Sequence, residues 1–339
     1  MFKLKYIQVK KFTFLLFVFT TLCLTIAVPR ATGQPLQVSY VTGDLFQAKA
    51  GTGFIGVLYS RAGTVYYNEA DLAGNVGTEV SLGTGTEGRL AIDAAGNPHV
   101  VFNASGKIAY LYYDGTSWSI AEYIESNFSG VCSKPDIDVD GNNYAHITYT
   151  DSKGNTGDYY DNPDIMYAVN SSGTFIKSII FKGWGDYYGG SDRYQEFFNK
   201  GSFITVDVLG NYYVLSHKYQ YQTWIGGTDR QYSVVVGSNL GNGGTTSTSS
   251  DQFSVHGMDF NGTNAVALYR HSTFKVSELT VSGTTINFTN LQDITASTVT
   301  SVYADATDLV IGGKNSTNLL TKFNNLYHIY DNVVVKGTE

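Results

Sequence analysis

Apolar and polar positions along this 339-residue chain alternate over short runs instead of following a helical period. Runs rich in Val, Ile, Tyr, Phe and Thr recur between clusters of Gly, Asn, Asp and Ser, and no stretch beyond residue 33 sustains a 3.6-residue repeat. Short apolar runs bounded by turn residues are typical of β-strands. The pattern therefore predicts an all-β chain.

One strand-turn-strand unit recurs four times, and its spacing predicts the architecture. The turn glycines stand at intervals of 45, 69 and 52 residues and are Gly96, Gly141, Gly210 and Gly262. The same alignment gives a recurring aspartate at Asp93, Asp138, Asp207 and Asp259. A four-stranded propeller blade takes about 40 to 50 residues. With weaker copies at Leu45–Leu82 and Thr298–Val335, the repeats predict a single-domain β-propeller of about six four-stranded blades.

The N-terminus has the pattern of a secretory signal peptide. A lysine-rich start precedes 17 uncharged residues, Phe12 to Val28, and small residues at Ala31 and Gly33 suit cleavage before Gln34. We therefore expect residues 1–33 to be removed and residues 34–339 to form a secreted or cell-surface domain without a membrane span. An uncleaved anchor is the alternative, because the apolar run approaches a spanning length.

The charge of the chain limits its possible partners, and its cysteine content limits how the fold can be stabilised. The formal net charge is −7, and removal of the five cations in residues 1–33 brings it to −12, which disfavours nucleic acid as a partner. Cys132 is the one cysteine beyond residue 33, so an internal disulfide is excluded and the domain depends on its apolar core. We expect a monomer.

The second copy of the repeat resembles a known family. Residues 92–100 (IDAAGNPHV) and 112–118 (YYDGTSW) are similar to the sialidase-like, BNR-type β-propeller repeats of secreted bacterial proteins. The resemblance implies a propeller, but such repeats occur in glycosidases, lyases, lectins and scaffolds alike. The Ser-x-Asp-x-Gly-x-x-Trp box of that family is not found in its usual form, so sialidase activity is not implied.

Three alternating aspartates before Gly141 have the pattern of a calcium loop: Asp136, Asp138 and Asp140. The later ligands of such a loop are missing, since Ile147 stands at position twelve. The repeat alignment instead favours a turn in which Asp138 binds its own backbone and Gly141 supplies a positive φ. We expect no metal and no cofactor, with calcium as the alternative.

Three long insertions are predicted to form loops on the face opposite the turn glycines. They are residues 151–164, 182–201 and 218–231, and they concentrate aromatic and charged side chains. The candidate ligand-binding residues are Tyr159, Tyr160, Trp184, Asp186, Tyr187, Tyr188, Asp192, Arg193, Tyr221, Trp224, Asp229 and Arg230. Aromatic rings beside carboxylates and guanidiniums suit carbohydrate. The alternative is that these side chains form a local core over the blades.

The sequence favours one function and leaves two others open. It predicts a propeller that binds a glycan or another extracellular polymer through these loops. The second hypothesis is a glycoside hydrolase or polysaccharide lyase, which requires a close carboxylate pair or a Tyr/His/Arg cluster. The third is a surface scaffold or adhesin. The catalytic residues of an enzyme are not identifiable from the sequence.

Overall fold

The computed structural model describes residues 44–331 except 72–74, 128, 153–161, 190–191, 199, 242, 244, 249–252, 272, 295–297, 305–307, 315–317 and 324–325. These residues contain strands and turns and no helix, which confirms the all-β prediction. No helix that could cross a membrane is therefore found among the described residues. The predicted signal peptide, residues 1–33, lies outside the described residues.

The first three sheets are four-stranded and antiparallel, with their strands in chain order. Sheet one consists of β1 (Asp44–Gly51), β2 (Phe54–Arg61), β3 (Thr64–Asp71) and β4 (Val80–Thr84). Sheet two consists of β5 (Thr86–Ile92), β6 (Pro98–Ala104), β7 (Lys107–Tyr112) and β8 (Glu122–Ile124). Sheet three consists of β9 (Cys132–Val139), β10 (Ala145–Asp151), β11 (Asp164–Val169) and β12 (Ile176–Phe181).

Sheet four is larger than the others. It consists of β13 (Trp184–Gly189), β14 (Asp192–Phe197), β15 (Ser202–Val206), β16 (Tyr212–Trp224), β17 (Gly227–Ser238) and β18 (Thr245–Thr248). Sheet five consists of β19 (Phe253–Phe260), β20 (Ala265–His271), β21 (Thr273–Ser282) and β22 (Thr285–Ile294). Sheet six consists of β23 (Thr298–Ala304), β24 (Asp308–Lys314), β25 (Asn318–Phe323) and β26 (Leu326–Asp331).

The sheets are arranged as a β-propeller. Successive sheets contact each other through one strand of each sheet, in the order β1, β5, β9, β15, β19 and β23. Sheets placed side by side around such a series of strands are the architecture that the repeats predict.

The core lies between neighbouring sheets, because strand alternation sends apolar side chains to both faces of each sheet. Leu58 and Leu90 pack between sheets one and two, and Leu215 packs between sheets four and five. Burying such a side chain contributes about 1.5 to 3 kcal/mol. Cys132 is fully buried in the core between sheets two and three, and this burial raises the pKa of its thiol to about 12. The thiol therefore stays protonated and unreactive at neutral pH.

The turns between β5 and β6 and between β15 and β16 are each closed by an aspartate side chain that accepts a hydrogen bond from the backbone of the same turn. Asp93 Oδ1 accepts the Asn97 amide N–H at 2.7 Å, and Asp207 Oδ1 accepts the Asn211 amide N–H at 2.8 Å. Gly96 and Gly210 have φ of 91° and 82°, which only glycine adopts without strain. Both turns match the prediction.

In the other two copies the repeat alignment places the turn aspartate wrongly. In sheet three the turn aspartate is Asp140, not Asp138, and the left-handed residue is Asn143 with φ of 63°, not Gly141. In sheet five the turn side chain is Asn261, two residues beyond Asp259, while Gly262 has a positive φ of 86°, as predicted. The error is two residues in each case, and a shift of two preserves the face of every side chain in a strand.

Asp136 and Asp138 have a different role, since they join sheet three to sheet four. Asp136 Oδ2 accepts the Ile204 amide N–H at 2.9 Å, and Asp138 Oδ2 accepts the Val206 amide N–H at 2.9 Å. β15 pairs with β16 on one side only, so the N–H groups of its other edge need partners. The two carboxylates accept hydrogen bonds from these N–H groups, and no group of potential metal ligands is found in the described part of the chain. The absence of a bound metal stays a prediction.

Replacing Asp138 by alanine is expected to lower the free energy of unfolding by about 2 kcal/mol, because the Val206 N–H and the Thr205 hydroxyl lose their shared acceptor. Urea unfolding followed by tyrosine and tryptophan fluorescence measures this difference. Asp138→Asn keeps an acceptor oxygen and is expected to lose less. Equal stability of wild type and Asp138→Ala would contradict the proposed link between the sheets.

Replacing Gly210 by alanine is expected to lower the free energy of unfolding by about 1 kcal/mol, because its positive φ disfavours any side chain. The added Cβ would also approach Asp140 Oδ2 at 2.9 Å. Asn143→Gly, at the equivalent turn of sheet three, is the matched control and is expected to be neutral or stabilising. The melting temperatures of both variants test this prediction. A lower melting temperature for Asn143→Gly, with that of Gly210→Ala unchanged, would contradict the role given to positive φ at these turns.

Candidate functional site

Two of the three predicted loops are in fact strands. Residues 184–189 and 192–197 are the paired strands β13 and β14, and residues 218–231 contain the end of β16 and the beginning of β17. β14 pairs with β16 beyond the end of β15, from Arg193 opposite Thr223 to Phe197 opposite Tyr219. We call this four-stranded projection of β13, β14, residues 219–224 of β16 and residues 227–232 of β17 the sheet-four extension. The third insertion, with Tyr159 and Tyr160, falls on residues 153–161, outside the described residues.

Cross-strand pairing gives the extension two different faces. Residues directly opposite each other share a face, and neighbours along a strand alternate. Gln195, Tyr221 and Arg230 form one row across β14, β16 and β17. The next row along, on the other face, contains Glu196, Gln220 and Gln231. The candidate residues are therefore divided between two faces rather than gathered in one site.

The first face, which we call the aromatic face, contains a continuous ladder of rings. The Tyr219 ring lies 5.6 Å from Phe197, 6.4 Å from Tyr221 and 4.8 Å from Tyr232, measured between ring centroids. The Arg230 guanidinium lies 5.9 Å from the centroid of Tyr221. All four rings are half-buried, so part of each is accessible. Arg193 belongs to the same face by its register.

The second face, which we call the polar face, has the two exposed tryptophans and the acidic residues. Trp184 and Trp224 are 40% and 44% exposed. Glu196 accepts hydrogen bonds from the Tyr194 hydroxyl at 2.6 Å and from Lys218 Nζ at 3.2 Å. The carboxylates that the register places on this face are Asp186, Asp192, Glu196 and Asp229.

His217 lies at the base of the aromatic face, where the extension meets the core. It is 3% exposed, and neither ring nitrogen has a hydrogen-bond partner among the described residues. Burial, together with the positive charge of Lys200, lowers the pKa of His217 to about 4. Its ring centroid lies 6.1 Å from that of Tyr232. His217 is therefore a neutral imidazole that lies beside Tyr232 and two residues before Tyr219 on the same face of β16.

Two further strand histidines, His99 and His146, are buried and packed against a tyrosine and an aspartate. His99 Nδ1 lies 2.8 Å from the Tyr110 hydroxyl and its Nε2 lies 3.6 Å from Asp93. His146 repeats the arrangement with Tyr167 and Asp140, at 2.8 Å and 3.4 Å. These contacts tie the turn of each sheet to its third strand.

The structure places the predicted site residues as follows. Arg193, Tyr221 and Arg230 are on the aromatic face, while Trp184, Asp186, Asp192, Trp224 and Asp229 are on the polar face. Tyr187 and Tyr188 are in β13, and their side chains are not described. The candidate residues predicted from the sequence do not include Phe197, Tyr219 or Tyr232. The alternation of aromatic and polar residues from Tyr219 to Gln222 is the strand signal that could have found this face.

Comparison with known proteins identifies no family for this chain. No family model matches it, and no curated protein matches it. Among solved structures, a polysaccharide lyase of family PL25, an ulvan lyase, is 8% identical over 87% of this chain and 83% of its own, with a TM-score of 0.49. The polysaccharide lyase Uly1 is 10% identical over 97% of both chains, with a TM-score of 0.40. The Dos1 propeller is 8% identical over 88% of this chain and 75% of its own, with a TM-score of 0.45. None of these three shows the sialidase-like family that the repeats resemble.

Proposed function

We propose that this chain is a carbohydrate-binding β-propeller that holds a polysaccharide on the aromatic face of the sheet-four extension. The observation that carries the proposal is the ladder of Phe197, Tyr219, Tyr221 and Tyr232. The C–H face of a sugar ring is apolar and stacks on an aromatic ring, while its hydroxyls bind polar groups at the rim.

The accessibility of the rings supports a binding face over a closed local core. A core would bury these side chains fully, whereas Phe197, Tyr219, Tyr221 and Tyr232 are each half-buried. Tyr232 also packs against the core between sheets four and five, which fixes the base of the ladder. Strands hold aromatic side chains more rigidly than loops, so little conformational entropy is lost on binding.

Retardation of the purified protein in native gels that contain different polysaccharides tests this function. Tyr221→Ala, on the aromatic face, is expected to abolish most of the retardation, and Trp184→Ala, on the polar face, is expected to keep it. Both variants change one partly exposed aromatic residue in the same extension, so they are matched. Loss of binding in Trp184→Ala alone would place the ligand on the opposite face and overturn the proposal.

Polymer cleavage is the second candidate function, and it is favoured by the position of His217, Tyr219 and Arg230 along one face of β16 and β17. A neutral imidazole is a general base, and burial raises the pKa of Tyr219, which therefore stays a proton donor at neutral pH. Together with an arginine that holds a carboxylate, these groups suit elimination from a uronate. Both nitrogens of His217 are buried in this structure, so catalysis also requires a movement that exposes the imidazole to the polymer. This requirement is why binding is the first proposal.

Release of new chain ends from each bound polysaccharide separates the two functions. A binding protein is expected to bind the polysaccharide and release no new chain ends, both as wild type and as His217→Gln. Release by wild type that is lost in His217→Gln, with binding unchanged, would show that the face is catalytic.

A further inference from the structure

We infer that the polymer on the aromatic face is an anionic polysaccharide, one whose sugar units carry carboxylate or sulfate groups. This inference rests on the proposed function and concerns the same face. Its basis is the separation of charge between the two faces of one sheet.

Alternation along the strands sorts the charged residues by sign. The four carboxylates of the extension are all on the polar face, and its two arginines, Arg193 and Arg230, are both on the aromatic face. The whole chain has an excess of acidic residues, with a formal net charge of −7. A face with arginines and no carboxylate in its strands is therefore complementary to an anionic ligand.

Arg230 is positioned to act together with the rings. Its guanidinium is exposed and stands 5.9 Å from the Tyr221 centroid, within reach of a cation–π contact. A guanidinium presents a planar fork of donors that matches a carboxylate or a sulfate. A sugar stacked on Tyr221 therefore has this fork at its edge, where a ring substituent lies.

Nucleic acid is the other polyanion that stacks on aromatic rings, and the charges of this chain disfavour it. A nucleic acid has a charge at every nucleotide and requires an extended basic surface. The aromatic face has two arginines on an acidic protein, which suits a polymer whose charges are spaced more widely. Single-stranded nucleic acid is therefore included as a competing ligand.

Three polymers with one backbone test the inference: dextran, carboxymethyl dextran and dextran sulfate. Wild type is expected to bind at least one of the two anionic forms about tenfold more tightly than dextran, and the preferred form identifies carboxylate or sulfate. That preference is expected to weaken as sodium chloride rises from about 50 mM to about 500 mM. Arg230→Gln is expected to remove the preference, whereas Lys177→Gln, on the outer strand of sheet three, is expected to keep it.

The outcomes separate the inference from the proposed function. Equal binding of all three dextrans by wild type and by Arg230→Gln would overturn the anionic preference and leave carbohydrate binding intact. Absence of binding to these dextrans and to a panel of neutral and anionic polysaccharides would overturn the proposed function itself. Tighter binding of single-stranded DNA than of either anionic dextran would overturn both.

Discussion

Polysaccharide binding is expected to weaken by about 30-fold, or roughly 2 kcal/mol, when Tyr219 is replaced by alanine. Tyr219 is the central ring of the ladder, because the rings of Phe197, Tyr221 and Tyr232 all lie next to it. Its removal takes away one stacking surface and also frees the neighbouring rings to rotate. Isothermal titration with a bound oligosaccharide measures the loss.

Two further variants make this prediction specific to stacking. Tyr219→Phe keeps the ring and is expected to bind within a few-fold of wild type. Trp224→Ala removes an exposed ring of the same extension from the polar face and is expected to bind normally. If Trp224→Ala loses as much affinity as Tyr219→Ala, the extension supports the site only as a scaffold, and the ladder is not the binding surface.

Stability is expected to fall as the pH drops from about 6.5 to about 4, and His217 alone is expected to account for about 3 kcal/mol of the fall. Its pKa is lowered from the ordinary value of 6.5 to about 4 by burial and by the charge of Lys200. Below pH 6.5 the unfolded chain takes up a proton at this residue and the folded chain does not, which favours unfolding.

His217→Phe isolates this contribution, because it removes the titrating group and keeps an aromatic ring in the core. The free energy of unfolding of the variant is expected to decrease less than that of wild type over the same pH range. His99, His146 and His256 also have lowered pKa values because of burial, so some acid sensitivity remains in the variant. Identical pH profiles for the two proteins would show that His217 is not held neutral by the fold.

The fold was predictable because its turns repeat at a recognisable spacing. Asp93 with Gly96 and Asp207 with Gly210 mark two turns correctly, and a strand-turn-strand unit every 45 to 69 residues indicates a propeller. Asp138 was assigned to the wrong position because Asp136, Asp138 and Asp140 alternate along one strand. A shift of two residues leaves each side chain on the same face of the strand, so the sequence alone cannot show which of the three aspartates closes the turn.

The site was only partly predictable, because a long insertion does not reveal whether it forms a loop or prolongs a strand. The sequence correctly indicated where aromatic and charged residues concentrate, between residues 184 and 230. It could not indicate that β14 pairs with β16, and this register is what separates Tyr221 and Arg230 from Trp184 and Asp229. Pairing between distant strands depends on tertiary packing, which local patterns do not specify.

The most direct test of the account is hydroxyl-radical footprinting of the protein with and without a saturating polysaccharide, resolved to single side chains by mass spectrometry. Binding on the aromatic face predicts that Phe197, Tyr219 and Tyr221 become protected, while Trp184 and Trp224 on the polar face react as before. Protection of the two tryptophans with unchanged reactivity of the ladder would contradict the central claim that the aromatic face holds the polymer.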